Sequence, residues 1–136
     1  FIFWGKSKRN MTLDSIPELL ETTKKVGVFV DASIQEIAAK INQYQLDIIQ
    51  LHGNESVIFC KNVKKLDVEV IKVFSIDSTF NFSVVKEYVF AVDYFLFDTK
   101  GKLPGGNGIT FDWNVLENYH FNVPYFLSGG IGTTEI

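Results

Sequence analysis

Six short runs of apolar residues, rich in Val, Ile and Phe, recur along the chain between stretches of mixed polarity. They occupy residues 1–4, 26–30, 47–51, 69–74, 94–97 and 124–127. Most are apolar at successive positions and not at alternate ones, which is typical of strands covered on both faces in a parallel sheet. The pattern therefore predicts six β-strands, with helices between them that cover the sheet.

The clearest helical pattern follows the second run. Its apolar residues fall on one stripe at helical spacing: Ile34, Ile37, Ala38, Ile41 and Tyr44. Ser33 and Glu36 supply a capping box at its start. Ser15 with Glu18 repeats the device ahead of Leu19 and predicts another helix start. Strand and helix units at this spacing build either a closed barrel or an open doubly wound sheet, and the spacing alone favours neither.

Composition narrows the class of protein. The 136 residues, 46% hydrophobic and 21% charged, predict one globular domain. A formal charge of -3 and the lack of any Lys/Arg block argue against nucleic-acid binding. No apolar run approaches the roughly 18 residues that a membrane span needs. The single cysteine, Cys60, cannot form an internal disulfide, so we expect a cytoplasmic protein.

Polar residues follow several runs at their carboxyl ends, where parallel α/β folds gather functional groups. Asp98 ends the run at 94–97. A carboxyl group at an apolar rim ionises less readily because its charge is poorly solvated, which suits proton donation near neutral pH. Asp98 is therefore the first candidate for a catalytic acid. An aspartate that caps a turn or pairs with Lys100 would give the same pattern, so the sequence leaves both interpretations open.

Several other segments are candidates for substrate binding. Arg9, after the first run, offers a planar guanidinium that matches a carboxylate. Glycines before and after the last run allow a ligand or phosphate to approach the backbone closely. The candidate substrate-binding residues are Arg9, Gln50, His52, Gly105, Gly106, Gly108, Gly129 and Gly130. Taken singly, solvated charge and plain surface turns explain the same residues.

The reactive side chains predict no metal site. His52 could act as an acid, a base or a ligand, but His120 is the only other histidine, and no His, Cys, Asp or Glu spacing resembles a metal site. Cys60 lies in a predicted helix among apolar residues and is interpreted as a small buried hydrophobe. Asp112 is interpreted as a helix N-cap ahead of Trp113. We therefore expect no metal and no cofactor.

Taken in order, the motifs resemble one family. They are Phe1-Ile2-Phe3-Trp4 with Ser7-Lys8-Arg9, Val26-Gly27-Val28-Phe29, Gln50-Leu51-His52-Gly53, Phe97-Asp98-Thr99, Gly105-Gly106-Asn107-Gly108 with Phe111-Asp112-Trp113, and Leu127-Ser128-Gly129-Gly130. The family is phosphoribosylanthranilate isomerase of tryptophan biosynthesis, a (β/α)8 TIM barrel. The resemblance implies an α/β fold in which residues 1–136 form a single partial barrel domain. That domain would hold strands 2 to 7 with their helices, and strands 1 and 8 would be missing.

The resemblance also implies an activity. Family enzymes convert N-(5-phosphoribosyl)anthranilate to 1-(2-carboxyphenylamino)-1-deoxyribulose 5-phosphate by an Amadori rearrangement. Asp98 matches the general acid, Arg9 the residue that grips the anthranilate carboxylate, and Gly129 with Gly130 part of the phosphate site. Residues 105–108 lie in the loop that closes over substrate. The implied partner is this phosphorylated small molecule, with the oligomeric state open between monomer and homodimer.

One family residue has no match. The general base of the family is a cysteine at the end of strand 1, and Cys60 is not that residue. The chain opens without Met inside an apolar run and closes without a following helix pattern, so we expect that it was cut at both ends. We expect the isolated 136-residue chain to be inactive.

Two alternatives remain beside this resemblance. Another phosphate-binding barrel, such as indole-glycerol-phosphate synthase, would need catalytic lysines at strand ends, and Lys100 is the lysine that the sequence places near one. A non-catalytic doubly wound module would bind its phosphate at a topological switch point after the first strand. Residues 5–8 are poor in glycine for that role.

Overall fold

The computed structural model describes residues 1–99 and 112–131, which form a six-stranded parallel sheet with helices packed against it. The strands are β1 (Ile2–Phe3), β2 (Val26–Phe29), β3 (Ile48–Leu51), β4 (Glu69–Ile76), β5 (Tyr94–Thr99) and β6 (Tyr125–Ser128). The α-helices are α1 (Ile34–Tyr44) and α2 (Val57–Lys64), and the 3₁₀ helices are η1 (Phe82–Tyr88) and η2 (Trp113–Asn118). All six predicted strands are confirmed, although β1 is shorter than its apolar run.

The strands lie in the sheet in the same order as in the chain, and each neighbouring pair is parallel. Because right-handed crossovers then all pass on one side, the helices lie together on one face of the sheet. In agreement, α1 contacts α2 and α2 contacts η1. The order never reverses among these six strands, so they contain no topological switch point of the kind that the doubly wound alternative requires.

The two faces of the sheet differ in burial. In the face that packs against the helices, Phe3, Phe29, Leu51, Lys72 and Phe95 lie side by side across β1 to β5, and all five are buried. Side chains alternate between faces along a strand, so the intervening residues lie on the opposite face. We call that second surface the open face. It carries polar side chains at the carboxyl ends of the strands.

Helix α1 confirms the sequence pattern. Ser33 is its N-cap, and its hydroxyl accepts a hydrogen bond from the Glu36 backbone N–H at 3.1 Å. Ile37 and Tyr44 are fully packed against the sheet. The helix ends at Gln45, whose left-handed φ of 54° closes the last turn.

A second capping pattern misled the prediction. Residues 15–20 form no helix, although Ser15 and Glu18 have the right spacing. Leu20 is 79% exposed and Leu19 is also exposed. A short helix gains most of its stability from packing an apolar face, and this pair has no surface to pack against. A local cap could not compensate for that loss.

Among residues 1–99 and 112–131, no helix has both the length and the apolar character needed to cross a bilayer. The same residues contain no group of three or more His, Cys, Asp or Glu side chains that could hold a metal ion. Lys100 and the loop glycines Gly105, Gly106 and Gly108 lie outside the described residues.

Candidate active site

Asp98 lies on the open face, near the carboxyl end of β5. It pairs in register with Ser128 of β6, and the Ser128 hydroxyl donates a hydrogen bond to Asp98 Oδ1 at 2.7 Å. The Asp98 side chain is 35% exposed. The carboxyl group is therefore held in place through one oxygen while it remains open to solvent. The partner that the structure describes for Asp98 is a side chain of the neighbouring strand, and Lys100, the other partner considered, lies outside the described residues.

His52 reaches the other oxygen of the same carboxyl group. It follows β3 directly, and its Nε2 lies 3.8 Å from Asp98 Oδ2. This separation is longer than a hydrogen bond but short enough for electrostatic attraction when the imidazole is protonated. The structure thus brings together two residues that the sequence had placed 46 positions apart, the difference between 98 and 52.

Gly129 and Gly130 form the turn after β6, beside Asp98. Their φ angles are 78° and 62°, in the left-handed region that glycine adopts without strain. A Cβ at Gly129 would lie 2.7 Å from Thr99 Oγ1 and 3.0 Å from Asp98 Oδ1. The turn therefore needs glycine both for its backbone conformation and for the space next to the carboxyl group.

Two other predicted residues lie at the same end of the sheet. Gln50 is half-buried within β3, in register with Val28 of β2 and Ile71 of β4 on the open face. Arg9 is exposed in the segment after β1, and its backbone N–H donates to Ser7 Oγ at 3.1 Å. Neither side chain contacts Asp98 in the hydrogen bonds and ion pairs of the described residues.

Sequence reasoning missed a buried ion pair behind this edge. Lys72 Nζ lies 3.0 Å from Glu55 Oε2, and the two side chains are 3% and 2% exposed. Lys72 lies within β4 on the face that packs against the helices, so it is not available to a substrate on the open face. A lysine inside an otherwise apolar strand was the one available signal, because a buried lysine requires a partner.

The chain matches the model of a known family over its whole length. The model of N-(5'-phosphoribosyl)anthranilate (PRA) isomerase matches residues 1–136. The chain belongs to this family.

Relatives in the PRA isomerase family are similar over nearly the whole chain. The N-(5'-phosphoribosyl)anthranilate isomerase of Parabacteroides distasonis is 43% identical over 138 residues, which cover 96% of this chain and 62% of that protein. The enzyme of Rhizobium leguminosarum bv. trifolii is 39% identical and covers 100% of this chain and 65% of that protein. The chain thus spans less than two thirds of the length of these curated relatives.

Solved PRA isomerase structures share the fold. The crystal structure from Thermotoga maritima superposes with a TM-score of 0.73 at 29% identity, covering 96% of this chain and 65% of that chain. The structure from Thermus thermophilus gives a TM-score of 0.75 at 24% identity, over 96% of this chain and 64% of that chain. The predicted α/β architecture of TIM-barrel type is confirmed at this level.

Proposed function

We propose that the protein is a PRA isomerase and that Asp98 is its general acid. The observation that carries the proposal is the position of Asp98: its side chain lies on the open face, fixed through Oδ1 by Ser128 and 35% exposed. The membership of the chain in the PRA isomerase family supplies the reaction. The same membership makes a phosphorylated small molecule the substrate.

The proposed chemistry begins with opening of the sugar ring. Asp98 donates its proton to the furanose ring oxygen while the bond from that oxygen to C1 breaks, and the electron pair of the anthranilate nitrogen forms the C1=N bond. A base then removes the C2 proton, which leaves an enol that tautomerises to the ketone. A positioned acid accelerates such a step by about 10²- to 10⁴-fold.

Cys60 does not supply that base. Its thiol is buried in α2, and desolvation raises its pKa from an ordinary 9.0 to about 11. It lies among the apolar side chains of the core. The family resemblance instead assigns the base to a cysteine of the first barrel strand.

The proposal gives the remaining site residues binding roles. Gly129 and Gly130 would hold the phosphate at the turn after β6, and Arg9 would bind the anthranilate carboxylate. Gln50 and His52 would line the site between the phosphate and the anthranilate carboxylate. Gly105, Gly106 and Gly108 would close over the substrate. The support is that every described member of this set lies at the carboxyl edge of the sheet.

We further propose that β1 to β6 correspond to strands 2 to 7 of a (β/α)8 barrel and that residues 1–136 belong to one such domain. Two observations support this assignment. The strand order follows the chain order without reversal, and the solved relatives superpose on the chain over about two thirds of their own length.

The first experiment is turnover of freshly generated phosphoribosylanthranilate by the natural full-length protein and its Asp98→Asn variant, followed by loss of anthranilate fluorescence. We expect the substitution to lower kcat by about 10²-fold or more, because Asn cannot donate an acidic proton. Asp67→Asn is the matched control. Asp67 is exposed, lies before β4 at the opposite end of the sheet, and has a φ of 59° that Asn tolerates.

The outcomes separate the two parts of the proposal. A folded wild-type protein without turnover would overturn the isomerase assignment. Full turnover in Asp98→Asn would keep the isomerase but remove Asp98 from the acid role.

Ser128 provides a finer test of the same geometry. We expect Ser128→Ala to lower kcat by less than Asp98→Asn does, since the carboxyl group stays but loses the donor that fixes Oδ1. Ser128→Thr retains a hydroxyl and suits a strand position, so it should recover most of the activity. Equal activity in the Ala and Thr variants would show that the 2.7 Å hydrogen bond does not orient Asp98.

A further inference from the structure

We propose that the buried pair of Glu55 and Lys72 is a positioning device for the candidate active site, which acts by fixing His52 against Asp98. The kinetic test of this inference rests on the proposed function, whereas an NMR measurement on His52 without substrate does not depend on turnover. Removing two charges from water has a free-energy cost that largely offsets their attraction. A buried ion pair therefore adds little net stability compared with two apolar side chains of similar size. The contacts of the pair indicate what it does instead.

Lys72 holds the backbone on both sides of His52. Its ammonium group donates to the carbonyl oxygens of Leu51 at 3.3 Å, Gly53 at 2.8 Å and Val73 at 3.1 Å. Leu51 and Gly53 are the two residues that flank His52. A single buried cation therefore ties both neighbours of the histidine to β4.

Glu55 holds the same turn from its N–H groups. Its carboxylate accepts hydrogen bonds from the backbone N–H of Gly53 at 2.9 Å and from that of Asp31 at 3.0 Å. Gly53 is thus bound through both its N–H and its C=O by the two members of one ion pair. Asp31, with a φ of 49°, in turn accepts from the Asn54 N–H at 2.6 Å.

The turn packs closely against Asp31. A Cβ at Gly53 would collide with Asp31 Oδ1 and would lie 2.8 Å from the Asp31 backbone nitrogen, so no side chain fits at this position. The His52 backbone N–H also donates to Phe29 O at 2.8 Å. With its own N–H and both neighbouring residues held, the backbone of His52 is restrained, and from this backbone the ring places Nε2 3.8 Å from Asp98 Oδ2.

The test combines two changes in the full-length protein. Glu55→Gln with Lys72→Met removes both charges together, so the double variant retains no unpaired buried ion, and the Gln carbonyl can still accept from Gly53. We expect kcat to fall by about 10- to 100-fold in the folded double variant, because displacing a catalytic group by about an ångström costs that much. Circular dichroism and thermal unfolding establish that the protein compared is folded.

His52→Gln separates positioning from general damage. If the pair acts through His52, removing the pair from a His52→Gln protein lowers kcat no further, and the two effects are non-additive. If the two effects on kcat multiply, the pair supports the fold alone and the proposal is overturned.

A readout without substrate covers the case in which the isomerase assignment fails. In the otherwise unchanged protein, Asp98→Asn should shift the His52 ring-proton NMR resonance, with the exposed His120 as an unaffected reference within the chain. In the protein without the buried pair, the same substitution should no longer shift it. An undiminished shift would overturn the positioning role whether or not the protein turns over the isomerase substrate.

Discussion

Two carboxylates near the carboxyl edge of the sheet show opposite solutions to the same problem. Glu55 is 2% exposed and accepts hydrogen bonds from two backbone N–H groups and from Lys72. Asp98 is 35% exposed and, among residues 1–99 and 112–131, has one donor at hydrogen-bond distance, Ser128. A buried charge must satisfy every lone pair within the protein, whereas a partly open one can leave room for a ligand. Glu55 thus holds the backbone of the turn after β3 through its hydrogen bonds, whereas Asp98 keeps part of its carboxyl group open to solvent.

The largest expected effect comes from removing one member of the buried ion pair. Lys72→Met alone should lower the free energy of unfolding by about 3–5 kcal/mol, because it leaves the Glu55 charge buried without a partner. Lys64→Met is the matched control. It removes a lysine from a 3.0 Å pair with Asp93 whose side chains are 38% and 31% exposed, and it should cost about 0–1 kcal/mol. Urea unfolding measures both, and similar losses would contradict the distinction between the two pairs.

A smaller effect is expected from crowding the open region. Gly129→Ala should lower the free energy of unfolding by about 1–2 kcal/mol through its left-handed backbone, and it should lower kcat because the new Cβ meets Asp98 Oδ1. Gly130→Ala has a similar φ, but the nearest atom of the described residues to its Cβ would be Thr99 Oγ1, at 3.3 Å. Because both glycines belong to the proposed phosphate site, both variants should raise KM, whereas kcat should fall further in Gly129→Ala than in Gly130→Ala. Equal kcat in the two variants would show that the Gly129 contact is irrelevant to Asp98.

The smallest effect concerns Cys60, whose thiol is buried in α2 and shielded from water. Because burial raises its pKa to about 11, the thiol should not react with iodoacetamide at pH 8 until the protein is unfolded in urea. Between pH 9 and about 11, the folded chain keeps the thiol proton of Cys60 and the unfolded chain loses it. Its contribution to stability is therefore complete below pH 9 and is lost as the pH rises toward 11. Rapid labelling of the native protein, measured by mass, would contradict the buried assignment.

The sequence predicted what depends on local patterns. Continuous apolar runs located all six strands, and the stripe from Ile34 to Tyr44 located α1, since both follow from the period of each element. The Ser15 and Glu18 pattern failed because a cap cannot stabilise a helix without an apolar face to pack. The outcome there depended on tertiary contacts that no local motif contains.

The candidate site was predictable only in part, because its contacts depend on register. Asp98 and Gly129 stood out as residues at strand ends, and the structure places them side by side. The hydrogen bond from Ser128 required the pairing of β5 with β6 residue by residue, across 30 positions. The partner of Lys72 was equally hidden, since a strand lysine is ordinarily expected to face water.

The strand order has a consequence for how the chain acquires its structure. Each strand pairs with the one made immediately before it, as Gln50 does with Val28. A ribosome adds about 5–20 residues per second, so each new strand emerges when the edge that receives it already exists. Among these six strands, no strand has to wait for a distant segment of the chain before it can pair. Folding can therefore proceed by successive addition of one unit at a time, at the pace of synthesis.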